Sequence, residues 1–197
     1  MKPRLSSWFA LGLLTGCFLV IGASLATPVI AEEDGEEHYR ANLIGMNGRG
    51  GSTQVEILIR RWTTDEQRAD LTQVIMNNDP RALARAVRNQ DSIGWLQPRS
   101  QRAYQLRYSR QYAGENGART IVLATDRPIG MREATGTTQS MDFSVTLVVF
   151  QVDAEGNGEG QLSVGNEILF DEATNKLNIT NAGSQPIRMT GIRRLGK

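Results

Sequence analysis

The chain has 197 residues, of which 22 are basic and 21 are acidic, and it contains one cysteine and one histidine. Because the charges nearly balance, the composition gives no overall attraction to nucleic acid or to an anionic membrane surface, and we expect no nucleic-acid partner. One thiol and one imidazole also exclude disulfides within the chain, cysteine-rich or histidine-rich metal sites and paired-cysteine redox motifs. We therefore expect no metal and no cofactor.

The first 31 residues have the layout of a secretory signal. Lys2 and Arg4 are positive, and no charged side chain follows them until Glu32. A short positive segment before an apolar run is typical of a signal peptide, and small side chains at the end of that run form the site that a peptidase cuts. Residues 29–31, Val-Ile-Ala, provide such a site. The sequence thus favours cleavage between Ala31 and Glu32 and export to the periplasm or the extracellular space.

Two alternatives remain open for this segment. Leu-Thr-Gly-Cys at residues 14–17 resembles the lipid-attachment motif of bacterial lipoproteins, in which Cys17 would carry the lipid. The other alternative is an uncut anchor, because an uncharged apolar run of about eighteen residues is long enough to span a bilayer. Either alternative would tether the protein to a membrane through its N-terminal segment alone.

The mature chain begins with an acidic stretch that lacks apolar anchors. We interpret residues 32–38, which include His38, as a mobile leader, because short polar termini are poorly ordered unless something ties them down. Residues 39–197 are then interpreted as a single β-rich domain.

Two strands open this domain, at residues 39–46 and 53–62. In the second strand, Val55, Ile57 and Ile59 alternate with polar residues, and this period of two residues is typical of a strand with one buried face. The glycine-rich connection between the two strands predicts a hairpin.

A helical pattern follows the hairpin. Thr63 or Thr64 is the predicted N-cap, since Glu66 or Gln67 stands three residues later, as a capping box requires. A second helix is predicted to begin at Pro80, a residue favoured at the first helical position. We expect this helix pair to connect the second and third strands.

Strand patterns and turns alternate through the rest of the chain. The next strands are predicted at residues 103–112 and 119–126, and the longest apolar run spans residues 141–153. With shorter strands up to the C-terminus, the total is about eight or nine. This arrangement predicts a mainly β (α+β) fold, either an antiparallel barrel or a two-layer sandwich, with a two-helix insertion after the second strand.

The strand at residues 103–112 carries the first candidate ligand-binding residues. Tyr104, Tyr108 and Tyr112 fall on one face of it if the alternation is regular, together with Leu106. Aromatic side chains on one strand face can line a ligand cleft, and they can equally pack a sheet against helices.

The loop at residues 127–140 carries the other candidates. It is polar and long for a connection between two strands, and loops of this kind often bind ligands. Its Arg127 and Arg132 could pair with an anionic group, because guanidinium forms two parallel hydrogen bonds with carboxylate or phosphate.

Catalysis finds little support among the residues, and we predict no catalytic residue. A nucleophile needs a base within hydrogen-bond reach, and His38 is placed in the leader. Asp126, Glu133 and Asp142 could supply a carboxylate pair for hydrolysis, but that chemistry depends on the separation of the carboxyl groups. A carboxylate-dependent hydrolase acting outside the cytoplasm therefore remains the alternative to a binding protein.

Three segments carry a resemblance to a known family. ARTIVLATDRPI at residues 118–129, DAEGNGEGQL at 153–162 and LNITNAGSQPIRMTGI at 177–192 resemble a family of small exported bacterial proteins with a signal peptide and one β-rich domain. The resemblance implies export, and it brings no activity, cofactor or site residue. By elimination, we expect a non-catalytic binding or accessory protein whose partner is an envelope protein or a small ligand. A membrane-anchored structural component is the further alternative.

Overall fold

The computed structural model describes residues 35–45, 51–76, 80–99, 101–129, 145–165, 167–171, 176–180 and 186–196. Within these ranges the chain forms two α-helices and ten β-strands: β1 (Glu37–Gly45), β2 (Ser52–Ile59), α1 (Asp65–Met76), α2 (Pro80–Asn89), β3 (Gly94–Pro98), β4 (Tyr104–Ala113), β5 (Arg119–Thr125), β6 (Val145–Val152), β7 (Asn157–Gly165), β8 (Glu167–Asp171), β9 (Lys176–Thr180) and β10 (Ile187–Leu195).

Eight of these strands close into an antiparallel barrel in the order β1-β10-β7-β6-β5-β4-β3-β2. Each barrel strand lies beside the next barrel strand of the chain, and the separate β8–β9 hairpin is inserted between β7 and β10. The pairing of β1 with β10 closes the sheet, and closure leaves no free strand edge in the barrel. The sequence predicted a barrel or a sandwich with a helix pair after the second strand, and the barrel is confirmed.

Apolar side chains fill the inside of the barrel. On β1, Tyr39, Ala41 and Leu43 are buried, and they alternate with more exposed residues as the period of a strand requires. The ring of Phe150, on β6, meets the ring of Tyr39 edge to face, with 5.2 Å between the centroids. A barrel of eight strands is just wide enough for side chains to fill it. The main core of the protein is therefore the barrel interior.

The helix pair covers one outer side of the barrel. The predicted capping box forms at Thr64, whose hydroxyl accepts from the Gln67 amide N–H at 3.3 Å while the Gln67 side chain accepts from the Thr64 amide at 3.2 Å. Leu71 of α1 and Leu83 of α2 lie in a second apolar cluster with outward-facing residues of β4, β5 and β6. The cause is amphipathicity, since each helix turns its apolar stripe toward the sheet.

Two sequence predictions about the strands are wrong. The first strand begins at Glu37, so the last two residues of the predicted leader belong to the barrel, and Glu37 is only 2% exposed. The second error is β3, which was not predicted, because it has only five residues and begins and ends with Gly94 and Pro98. Glycine and proline are uncommon in strands. Partner strands on both sides impose the extended conformation on this segment.

Candidate functional site

A buried ion cluster lies at one end of the barrel interior. Glu37, on β1, accepts from the Arg119 guanidinium at 2.9 and 3.3 Å and forms an ion pair with Arg194 at 3.2 Å. The Tyr39 hydroxyl also donates to Glu37. Arg119 donates further to Tyr39 at 3.1 Å and to Gln111 at 2.9 Å. The cluster thus links β1, β4, β5 and β10 across the inside of the barrel.

The geometry of this cluster shifts the pKa of two of its members. Burial raises the pKa of the Tyr39 phenol well above its ordinary value, and the hydrogen bond to Glu37 and the charge of that carboxylate raise it further. Burial alone would lower the pKa of Arg119, but its hydrogen bond with Glu37 and the neighbouring Tyr39 and Glu37 raise it overall. Tyr39 therefore remains a neutral donor and Arg119 a cation. The cluster holds four strands together, and its carboxylate is ion-paired with two guanidinium groups.

The sequence contained a signal for this cluster that the leader interpretation missed. Tyr39, Ala41 and Leu43 alternate toward the interior, and the same period extended backward places Glu37 on the inner face. Its partners Arg119 and Arg194 are distant in the chain, so only the closure of the barrel identifies them.

The three candidate tyrosines do not share one face. The register of β4 against β5 shifts between Leu106 and Tyr108, as happens at a β-bulge. Leu106 and Tyr104 therefore pack with the barrel interior, whereas Tyr108 and Tyr112 pack outside, beneath the helix pair. Burial raises the pKa of the Tyr108 phenol to about 12. Tyr108 and Tyr112 therefore pack the sheet against the helix pair, which is one of the two roles that the sequence allowed for these tyrosines.

Arg127 lies at the end of the barrel opposite the ion cluster, just beyond the end of β5. Its side chain is exposed, and its carbonyl accepts hydrogen bonds from the buried hydroxyls of Thr125 at 2.6 Å and Thr146 at 2.9 Å. Tyr104, which starts β4, is at the same end. The structure thus brings Arg127 and Tyr104 to one rim. Arg132 lies outside the described residues, as do Ala31, Glu32 and Cys17.

The described acid among the hydrolase candidates is already paired. Asp126 is 3.5 Å from the Arg107 guanidinium, and the Asp126 side chain is 12% exposed. Glu133 and Asp142 lie outside the described residues. The carboxylate pair that the sequence allowed therefore stays a prediction.

The outer surface of β10, β1, β2 and β3, here called the open face, is the candidate interaction site. The helix pair packs on β4, β5 and β6, so neither helix covers this side of the barrel. Strand register places the outward side chains of the open face in rows. One row, from β10 to β3, consists of Arg193, Arg40, Glu56 and Gln97. The adjacent row consists of Leu195, His38, Leu58 and Trp95.

The charged row has more guanidinium than carboxylate. Arg193 and Arg40 are directly opposite on neighbouring strands, and like charges in that position repel. Glu56 is paired with Arg40 at 2.9 Å and lies 3.5 Å from the His38 imidazole. Arg193 is exposed and forms no ion pair with any residue that the structure describes. The row therefore carries an unpaired positive charge at its β10 end.

The second row is largely apolar. The His38 ring contacts Trp95 edge to face at 5.9 Å between centroids, and Leu58 lies between them in the register. Leu58, Trp95 and Leu195 are each partly exposed. His38 is thus on the outer surface of β1, and its described partners are Glu56 and Trp95. Tryptophan beside arginine is a common composition at the centre of protein interfaces.

No grouping of three histidine, cysteine, aspartate or glutamate side chains suited to a metal ion occurs within the described ranges. Neither described helix has the length and apolar character needed to cross a membrane. Comparisons with protein-family models, with curated proteins and with solved structures each gave no match.

Proposed function

We propose that this protein is an exported, non-catalytic binding module that docks an acidic segment of a partner protein on its open face. One observation carries the proposal: Arg193, which has no ion pair with any described residue, and the neighbouring Arg40 lie directly beside the row formed by Leu58, Trp95 and Leu195. A segment with a carboxylate next to an apolar side chain would match both rows, relieving the repulsion between the arginines and covering the apolar surface.

The packed barrel supports a surface role over an internal one. Each of the eight barrel strands contributes at least one buried side chain to the interior cluster, and Phe150 and Tyr39 are fully buried within it. Binding to the barrel interior would require displacing these side chains, whereas the open face needs no rearrangement.

Site-specific photocrosslinking tests the proposal. Gln97, exposed at the end of the charged row, is replaced by p-benzoylphenylalanine, and the control carries the same residue at Met76, which is 58% exposed on α1. In native envelopes, we expect an adduct from position 97 that maps to a segment rich in Asp and Glu, and no matching adduct from position 76.

A charge reversal provides the matched control. Arg193→Glu should abolish the adduct at position 97, whereas Arg88→Glu, an exposed change on α2, should leave it intact. Equal adducts at positions 97 and 76, or an adduct that survives Arg193→Glu, would contradict docking on the open face.

A further inference from the structure

A second basic surface lies at the end of the barrel opposite the ion cluster. It consists of three arginines and is here called the basic rim. Arg99 follows the end of β3, Arg102 precedes the start of β4, and Arg127 follows the end of β5. All three side chains are exposed. β4 alone separates β3 from β5, so these two strands are about 10 Å apart. The register pairs Leu96 with Tyr104 and Thr125 with Leu106. Arg99 therefore lies about three residues farther along the strand direction than Arg127, and their backbones are roughly 14 Å apart with Arg102 between them. Arginine side chains from both ends can therefore reach one small ligand.

The backbone under the basic rim is held in place. The Arg127 carbonyl accepts from the two buried threonine hydroxyls, and the amide of the fully buried Ile129 donates to Thr146 at 2.7 Å. The Arg99 amide donates to the Gln54 carbonyl at 2.8 Å. The Gln97 side chain donates to the Gln101 carbonyl at 3.0 Å. A fixed backbone reduces the entropy lost when the guanidinium groups engage a ligand.

The charge of the basic rim is not neutralised by the nearest acid in the chain. Asp126 precedes Arg127, but its carboxylate lies against Arg107 and is mostly buried. The ring of Tyr104, which starts the strand after Arg102, packs against the interior cluster.

We propose that the basic rim is a binding site for a small oxyanion ligand, one that carries carboxylate or phosphate groups. Guanidinium binds both groups through paired, charge-assisted hydrogen bonds, and this is the chemistry that three exposed arginines on a fixed rim provide. Ile129, two residues after Arg127, is fully buried in the cluster that fills the barrel, so the proposed ligand lies on the rim and not inside the barrel. This site adjoins the β3 end of the open face, where Gln97 belongs to both, but it does not depend on the proposed protein partner.

Titration with inorganic phosphate and with citrate, followed by amide NMR of the purified protein, tests the proposal. Sodium chloride keeps the ionic strength constant, so general screening does not change during the titration. We expect saturable shifts at residues 99–104 and 125–129. Saturation by phosphate alone would assign a phosphate ligand, and saturation by citrate alone would assign a carboxylate ligand.

Two variants decide whether the basic rim is responsible. Arg127→Gln should weaken binding by about tenfold, as expected for a lost charge-assisted hydrogen bond, whereas Arg85→Gln, an exposed change on α2, should not alter it. Thermal unfolding of both variants checks that the fold is retained. Shifts that grow linearly without saturation, or an equal response from the two variants, would overturn the proposal.

Discussion

At the scale of single residues, the position with the largest consequences is Glu37. Its side chain is 2% exposed and is surrounded by donors from Tyr39, Arg119 and Arg194. A buried carboxylate of this kind is stable only while its partners remain, and its partners depend equally on it. The residue lies at the start of β1, where the barrel closes against β10.

Glu37→Gln should therefore destabilise the protein by about 3 kcal/mol, because Arg119 would keep its charge in a largely buried position without a counter-ion. Urea unfolding at neutral pH measures the change. Glu56→Gln is the matched control, since that carboxylate pairs with Arg40 on the surface, and its loss should cost about 1 kcal/mol or less. Equal costs at the two positions would mean that the ion cluster contributes no more than a surface pair.

At the scale of elements, local sequence patterns were sufficient to predict those features that depend on residues close together in the chain. The capping box at Thr64, the start of α2 at Pro80 and the alternation of β2 depend on residues within a few positions of one another. The bulge in β4 does not. It depends on how Leu106 and Tyr108 pair with β5, so the sequence placed three tyrosines on one face and the structure separates them.

The attachment of the helix pair provides a prediction at this scale. Asp65, at the start of α1, accepts from Arg110 of β4 at 2.9 Å. That hydrogen bond, with the charges of Arg110 and Arg68, holds the pKa of the Asp65 carboxyl below its ordinary value. A carboxyl group whose pKa is lowered by folding stabilises the folded state at pH values above its ordinary pKa. This stabilisation is lost as the pH falls through the pKa that the group has in the folded protein.

Asp65→Asn should accordingly lower the urea midpoint at about pH 6, and the difference from wild type should shrink toward zero at about pH 2.5. Asp70→Asn serves as the control, because Asp70 is exposed on the same helix and has no ion pair among the described residues. A difference for Asp65→Asn that stays constant across this pH range would show that Arg110 does not act through the charge of Asp65.

At the scale of the whole molecule, the near balance of charge conceals local clusters of one sign. The basic rim and the open face carry exposed arginines, while Asp65, Glu66 and Asp70 cluster on α1. A total close to zero therefore excludes general attraction to polyanions but permits local recognition of an acidic group. Composition alone cannot distinguish an evenly charged surface from one with local clusters of charge, because it does not say where the charged residues lie in the fold.

The predicted export also concerns the whole molecule, and it leads us to expect that the isolated protein begins at Glu32. Cleavage there leaves five residues before β1, which starts at Glu37. Intact mass measured on native envelope and extracellular fractions tests this expectation. A lipid-modified Cys17, or a mass that retains residues 1–31, would contradict cleavage and would mean that the N-terminal segment tethers the protein to a membrane.

The sequence by itself determined the β-rich class, the helix pair after the second strand and most strand positions, because alternation and capping act over a few residues. Only the tertiary structure decided between barrel and sandwich, since that choice depends on whether β1 meets β10. The same closure brings Glu37 to Arg119 and Arg194, and it places Arg193 opposite Arg40. Contacts between residues far apart in the chain leave no local periodicity, so no inspection of neighbouring residues could have revealed them.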